Sequence, residues 1–234
     1  MTGTDDGAAR STGRIRRAAR LAVAISAATG AISAAACHDP SGAPRGLERA
    51  PLEEWTVLQP FGAWNASRGG YHLATDLVAV PGTPVRTAGA GQVIFAQVEV
   101  EGYGAVVVVR HAGADPEVTT LYGHLSARRG LQVRAGESVA AGQVVGFVAD
   151  DDEDGGPWEP HLHFGVRRGS PSVDDSSLCG LWPYVGYTRA CGGWTHEQVR
   201  ALWADPATMV PVPCARRGPR FCVPEPAATF RGQR

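Results

Sequence analysis

At 234 residues the chain has room for one domain of ordinary size plus terminal extensions. Its 22 basic residues, every one an arginine, nearly cancel 23 acidic ones and leave a net charge of -1. That balance excludes the basic field that nucleic acid or an anionic membrane surface would require, so partners must be recognised by local chemistry.

The first 36 residues read as an export signal. Arg14, Arg16, Arg17 and Arg20 precede an apolar, small-residue run from Leu21 to Ala36, the order of a charged n-region and an h-region. Gly30 and many alanines make the run too weakly apolar for a permanent membrane span. It ends at Cys37 after Ala34, Ala35 and Ala36, like the small residues before a bacterial lipoprotein cysteine, although Ala34 stands where Leu is usual. Cys37 is therefore a candidate lipid acceptor, with simple cleavage after an A-x-A site as the alternative. Residues 37–54 read as this lipobox-like cysteine and a linker; 38–50, HDPSGAPRGLERA, are rich in Pro, Gly and charge and need no fold. An exported protein of the cell envelope, membrane-anchored or secreted, is expected.

From Trp55 the pattern changes to short apolar stretches bounded by glycine and proline: Val85 to Thr87, Gly91 to Val100, Ala105 to His111, Val118 to Tyr122, Val144 to Val148 and His161 to Val166. Period-two alternation or continuous β-branched runs, clearest in Val106 to Arg110, predict an all-β sandwich or barrel over residues 55–169. Residues 170–234 carry too little apolar content for a core of their own and are expected to wrap on the β domain. Thr195 and Gln198 have capping-box spacing ahead of VRALW, which predicts one short helix limited by Pro206. Cys179, Cys191, Cys214 and Cys222 form an even set expected to make two disulfides in an oxidising compartment, Cys179 with Cys191 and Cys214 with Cys222 by loop length. A four-thiolate zinc site is the competing reading, but no C-x-x-C pair supports it. The tail from Pro224 is expected to be disordered.

Four of the seven histidines fall in patterns that make chemical sense together. In His161-Leu162-His163 alternate residues of a strand face one side, so both imidazoles point to one site. Zinc accepts imidazole nitrogen and carboxylate oxygen, and a catalytic site uses three protein ligands with an open fourth position. His72 and Asp76 can supply the other two, leaving one histidine of the 161/163 pair to act on water. His124 is a second candidate acid-base or oxyanion-stabilising group.

The stretches YHLATD, LYGHLS and PHLHF, in that order, resemble the three signatures of the M23 peptidases, the lysostaphin and LytM group. VRAGESVAAGQVVGFV resembles the strand-turn-strand of that family, and GAVVVVRHAG the strand before its second signature. The resemblance covers roughly residues 57 to 168. It implies a compact two-sheet LytM-like β domain with zinc in a groove, ligated by His72, Asp76 and His163, and with His161 and His124 as the catalytic pair, His161 being the expected base. It further implies an endopeptidase acting on peptides of peptidoglycan, at cross-links or bridges. The alternative is a non-catalytic envelope protein that binds peptidoglycan or activates another hydrolase. The Gly-x-x-Val pattern repeated in that strand-turn-strand also looks like biotinyl or lipoyl carriers, which need an attachment lysine that this chain lacks.

Ala74 replaces a glycine usual in the first signature. The loop DDDEDGGPWEP before His161 imitates a calcium loop through Asp150, Asp152, Asp154 and Gly155, but a solvated acidic loop is the preferred reading, because the required final Glu falls at His161. His111 is expected to be structural, and His38 and His196 have no mechanistic case. Trp64, Trp158, Trp182 and Trp194 are expected to serve the core before a substrate groove.

Overall fold

The structure, a computed structural model, describes residues 46–100, 102–153, 158–170, 186–188 and 194–213. Short β-branched and aromatic runs between turn residues form strands β1 (Val57–Gln59), β2 (Trp64–Asn65), β3 (Gly70–Tyr71), β4 (Thr75–Val78), β5 (Pro84–Arg86), β6 (Gly91–Val100), β7 (Gly104–His111), β8 (Val118–Leu125), β9 (Ser138–Val139), β10 (Val144–Phe147) and β11 (His161–Arg168). Helix α1 (His196–Leu202), β12 (Trp203–Ala204) and a 3-10 turn at Pro206–Thr208 follow. The all-β expectation holds, with one short helix. No helix among the described residues is long and apolar enough to cross a membrane.

The expected two-sheet packing takes an uneven form. Eight strands make one sheet in the order β1-β4-β11-β8-β7-β6-β9, with β12 added to β11; β5 and β10 make a separate pair, as do β2 and β3. The core lies between the large sheet and the β5–β10 pair: Leu77, Val107, Val109, Tyr122, Leu162, Phe164 and Val166 meet Val85 and Val145 in one buried cluster. The continuous valine run of β7 is explained by cover on both faces, since Val106 and Val108 join Leu121, Val100 and Tyr103 in a second cluster on the opposite side.

The core also begins earlier than Trp55. Leu47 and Leu52, inside the stretch expected to be linker, are buried in the main cluster, and the amides of Glu48 and Arg49 both donate to the Ala88 carbonyl. Two leucines in an otherwise polar segment are enough to fasten it, each contributing about 1.5–3 kcal/mol when fully buried. At the other end, α1 starts as expected: Thr195 Oγ1 accepts from the Gln198 amide at 3.3 Å and Gln198 Oε1 accepts from the Thr195 amide at 2.8 Å. Its Val199 packs with Leu73 and Trp203, and β12 pairs Ala204 with Val166 and Trp203 with Arg167. This part of the C-terminal extension is thus fastened to β11. The export signal, Cys37 and the four cysteines expected to pair lie outside the described residues, as do Asp154, Gly155, Trp182 and the tail.

His111 is structural as expected. It is fully buried, its Nδ1–H donates to the Ala90 carbonyl at 2.9 Å, and its Nε2 lies 2.8 Å from Thr120 Oγ1. Burial pushes its pKa below the ordinary histidine value, against the opposing pull of the Ala90 carbonyl. An imidazole whose folded pKa is depressed adds stability that is full above the unfolded value of about 6.5 and is lost as pH falls through the folded value. His111→Leu should therefore cost about 1–3 kcal/mol at pH 8, from the partners left unpaired. The stability difference between pH 8 and pH 5 should also shrink; urea denaturation at the two pH values checks both.

Candidate metal centre

Alternation along β11 sorts its residues into two sets. Leu162, Phe164 and Val166 enter the core, so His161, His163 and Gly165 face the other side of the sheet. His163 occupies the middle of that face, because β11 lies between β4 and β8 and pairs His163 with Asp76 on one side and Gly123 on the other. His72 comes from the segment between β3 and β4 and brings its ring against Asp76. Its Nε2 lies 3.2 Å from both His163 Nδ1 and Asp76 Oδ1, and His163 Nδ1 lies 2.8 Å from the same carboxylate oxygen. All three side chains are buried.

Three donors on one tetrahedral zinc at about 2.0–2.1 Å would stand roughly 3.3 Å from one another. The observed triangle of 2.8 to 3.2 Å has that scale, and these three residues form a cluster able to hold a metal. The outer hydrogen bonds also fit. The His72 Nδ1–H donates to the Pro60 carbonyl at 3.2 Å, which turns the lone pair of Nε2 inward. On His163 the roles are reversed: Nδ1 faces the cluster and Nε2 lies 3.3 Å from the Tyr103 hydroxyl.

Electrostatics prepare the same donors. Burial lowers the His163 pKa to about 4 despite the opposing Asp76 charge, so its imidazole is neutral at pH 7. Burial alone would raise Asp76, but its contacts with His163 and His72 outweigh that and hold it well below the usual carboxylate range. Neutral imidazoles and an ionised carboxylate are the forms that bind a divalent cation.

His161 and His124 stand beside this cluster, their rings 4.4 Å apart. The His161 Nδ1–H donates to the Glu159 carbonyl at 2.7 Å, leaving Nε2 as the basic nitrogen, 3.8 Å from Asp76 Oδ2. His124 reaches the site through a break in alternation. Tyr122 and Leu125 are both in the core, although they are three residues apart, and the pairing of β7 with β8 slips where Ala105 meets Leu125 and Val107 meets Tyr122. The extra residue is absorbed at His124, whose φ of 58° is uncommon for a non-glycine. A bulge thus turns the histidine to the ligand face.

Two tyrosines were not among the residues singled out in the sequence. Tyr103 packs between two of the site histidines, its ring tilted against that of His124 at 5.1 Å and edge to face with that of His163 at 5.2 Å. Burial first, and then the Asp76 charge, push its hydroxyl far above the ordinary value, so it stays protonated. Gly123 makes room for it: a Cβ there would come within 2.5 Å of the Tyr103 ring. Tyr187, from the C-terminal extension, stacks on His72 at 5.0 Å and pairs with it as a β-bridge. The sequence signal for Tyr103 is its position between Gly102 and Gly104, both at positive φ; Tyr187 had none. Trp158 lies 6.0 Å from the His124 ring, Trp64 is exposed, and Trp194 packs near α1. The acidic loop is occupied with neighbours: Asp150 pairs with Arg129, Asp152 with Arg128, and Glu153 accepts from Ser126 Oγ.

A β domain that buries a His/Asp/His cluster beside two further histidines defines a candidate metallohydrolase site. Residues 70–175 match the family model described as Peptidase family M23, and this chain carries an M23 family domain. Similar proteins include murein hydrolase activator EnvC of Escherichia coli, 35% identical over 146 residues, covering 59% of this chain and 30% of that one. Another is a lipoprotein NlpD/LppB homolog of Pseudomonas aeruginosa, 32% identical over 109 residues, covering 47% of this chain and 33% of that one. The matched stretch thus spans about a third of these relatives. Among solved structures, the catalytic domain of lysostaphin from Staphylococcus simulans is 27% identical, with a TM-score of 0.43, over 52% of this chain and 86% of that one.

Removing the Tyr103 hydroxyl takes away the partner of His163 Nε2 while keeping the ring. Tyr103→Phe should weaken divalent-metal affinity by about 10–100-fold, the usual cost of losing such an outer hydrogen bond. Titration against a competing chelator measures it, and unchanged affinity would show that the hydroxyl does not orient the ligand.

Proposed function

We propose that the chain is an exported zinc-dependent endopeptidase that hydrolyses peptide bonds in bacterial peptidoglycan, at cross-links or bridges. His72, Asp76 and His163 hold the metal in this reading, and the observation that carries it is their close triangle of donor atoms. Bound zinc would polarise the scissile carbonyl and bring the pKa of a water towards about 7. His161 is the general base, because Glu159 fixes its proton on Nδ1 and leaves Nε2 facing Asp76. His124, turned to the same face by the bulge, steadies the oxyanion that develops on the substrate carbonyl. The M23 domain and the names of the relatives support a peptidoglycan substrate, and relatives described as lipoproteins support envelope anchoring through Cys37.

A second reading, an envelope protein that activates another hydrolase, is favoured by the likeness to EnvC and by the burial of all five site residues beneath neighbours that include Tyr187. The two readings separate in one experiment on the full chain: zinc content together with release of soluble fragments from purified peptidoglycan. The enzyme reading expects about one zinc per chain and release by the wild type. His163→Ala should lose the metal. His161→Ala should keep it and lose at least about 10²-fold in rate, the usual contribution of a general base. Zinc binding without release from any wall type would favour the activator.

A further inference from the structure

The hairpin of β2 and β3 carries Arg68 to the rim of the metal centre, two residues before β3 leads into His72. Its tip is held: the Asn65 side chain accepts from the Arg68 amide at 3.0 Å and from Ser67 Oγ at 2.7 Å, and the Gly69 amide donates to the Asn65 carbonyl at 2.8 Å. The rings of Trp64 and Tyr71 pack edge to face across the strands at 5.1 Å. An arginine on such a tip is positioned before any ligand arrives.

Its guanidinium lies 4.9 Å from the centre of the Trp158 ring and 5.8 Å from that of Tyr187. Those two rings flank the centre on different sides, Tyr187 against His72 and Trp158 against His124. Arg68 therefore spans the mouth between the metal-ligand side and the acid-base side. Stacking occupies the π-faces of a guanidinium and leaves its N–H edge for a planar acceptor. Charge sets it apart from the arginines of β7 and of the loop after β8: Arg110, Arg128 and Arg129 pair with Glu117, Asp152 and Asp150, while Arg68 has no carboxylate within ion-pair distance among the described residues.

We infer that Arg68, shelved on Trp158 and Tyr187, binds a free carboxylate of the substrate peptide and so selects acidic over amidated peptides. The inference rests on the peptidase reading for the identity of the substrate. A planar carboxylate matches the guanidinium edge with two parallel charge-assisted hydrogen bonds, which a neutral amide cannot reproduce.

Binding tests this without turnover. Calorimetry would use zinc-loaded full chain carrying His161→Ala, with and without Arg68→Gln or Arg68→Lys. The probes are an N-acetylated stem tetrapeptide of peptidoglycan with its carboxyl groups free and the same peptide with every carboxyl amidated. The acid should bind at least about tenfold more tightly than the amide, consistent with a charge-assisted pair. Arg68→Gln should abolish that ratio while leaving affinity for the amide unchanged, and Arg68→Lys should restore only part of it. Equal binding of the two peptides, a preference that survives Arg68→Gln, or binding of neither overturns the carboxylate clamp. Hydrolysis by the wild-type chain, measured on the same pair, decides the peptidase reading separately.

Discussion

The structure depends on one strand serving two environments. In β11, Leu162, Phe164 and Val166 are driven into the core, and the pleat then forces His161 and His163 to the opposite face. A slip of one residue would bury two imidazoles in a hydrocarbon core and expose three large apolar groups, so hydrophobic packing fixes the register that the chemistry uses. Pairing with β4 sets Asp76 directly across from His163, and pairing with β8 sets Gly123 on the other side. The ligand geometry is therefore a by-product of sheet register, held by the full stability of the central strands rather than by a mobile loop.

Around that strand, the remaining parts answer the cost of burying polar groups. His72 is fastened by the Pro60 carbonyl, His161 by the Glu159 carbonyl, and His163 by Asp76 and Tyr103. The bulge at His124 adds a locally unfavourable backbone conformation, of the kind that persists where surrounding structure over-determines it. The C-terminal extension is part of the same shell: Trp203 comes up against Gly165, and Tyr187 stacks on His72. The extension thus packs against the site as well as against β11.

Much of this was legible in the sequence, for identifiable reasons. Strong β-branched runs at β6, β7 and β11 signal themselves by alternation, and the Thr195 to Gln198 capping box signals α1. The sequence motifs also named the five polar residues that the structure gathers on one face. What escaped were features set by long-range contact. β1, β4 and β12 are too short to show a period, and Leu47 and Leu52 are single apolar residues whose burial depends on a distant surface. The turn of His124 to the ligand face needs the slip between β7 and β8, which no local pattern encodes. The acidic loop before His161 suggested a charged surface, yet Arg128 and Arg129 neutralise much of it from another loop.

The most direct test of the account is X-ray absorption at the zinc edge on the full chain loaded with one equivalent of metal. Two imidazole nitrogens and one carboxylate oxygen should appear at about 2.0–2.2 Å, with light-atom ligands only and a further position left for water or substrate. Sulfur at about 2.3 Å would place the metal among the cysteines instead, and failure to bind zinc would contradict the assignment of His72, Asp76 and His163.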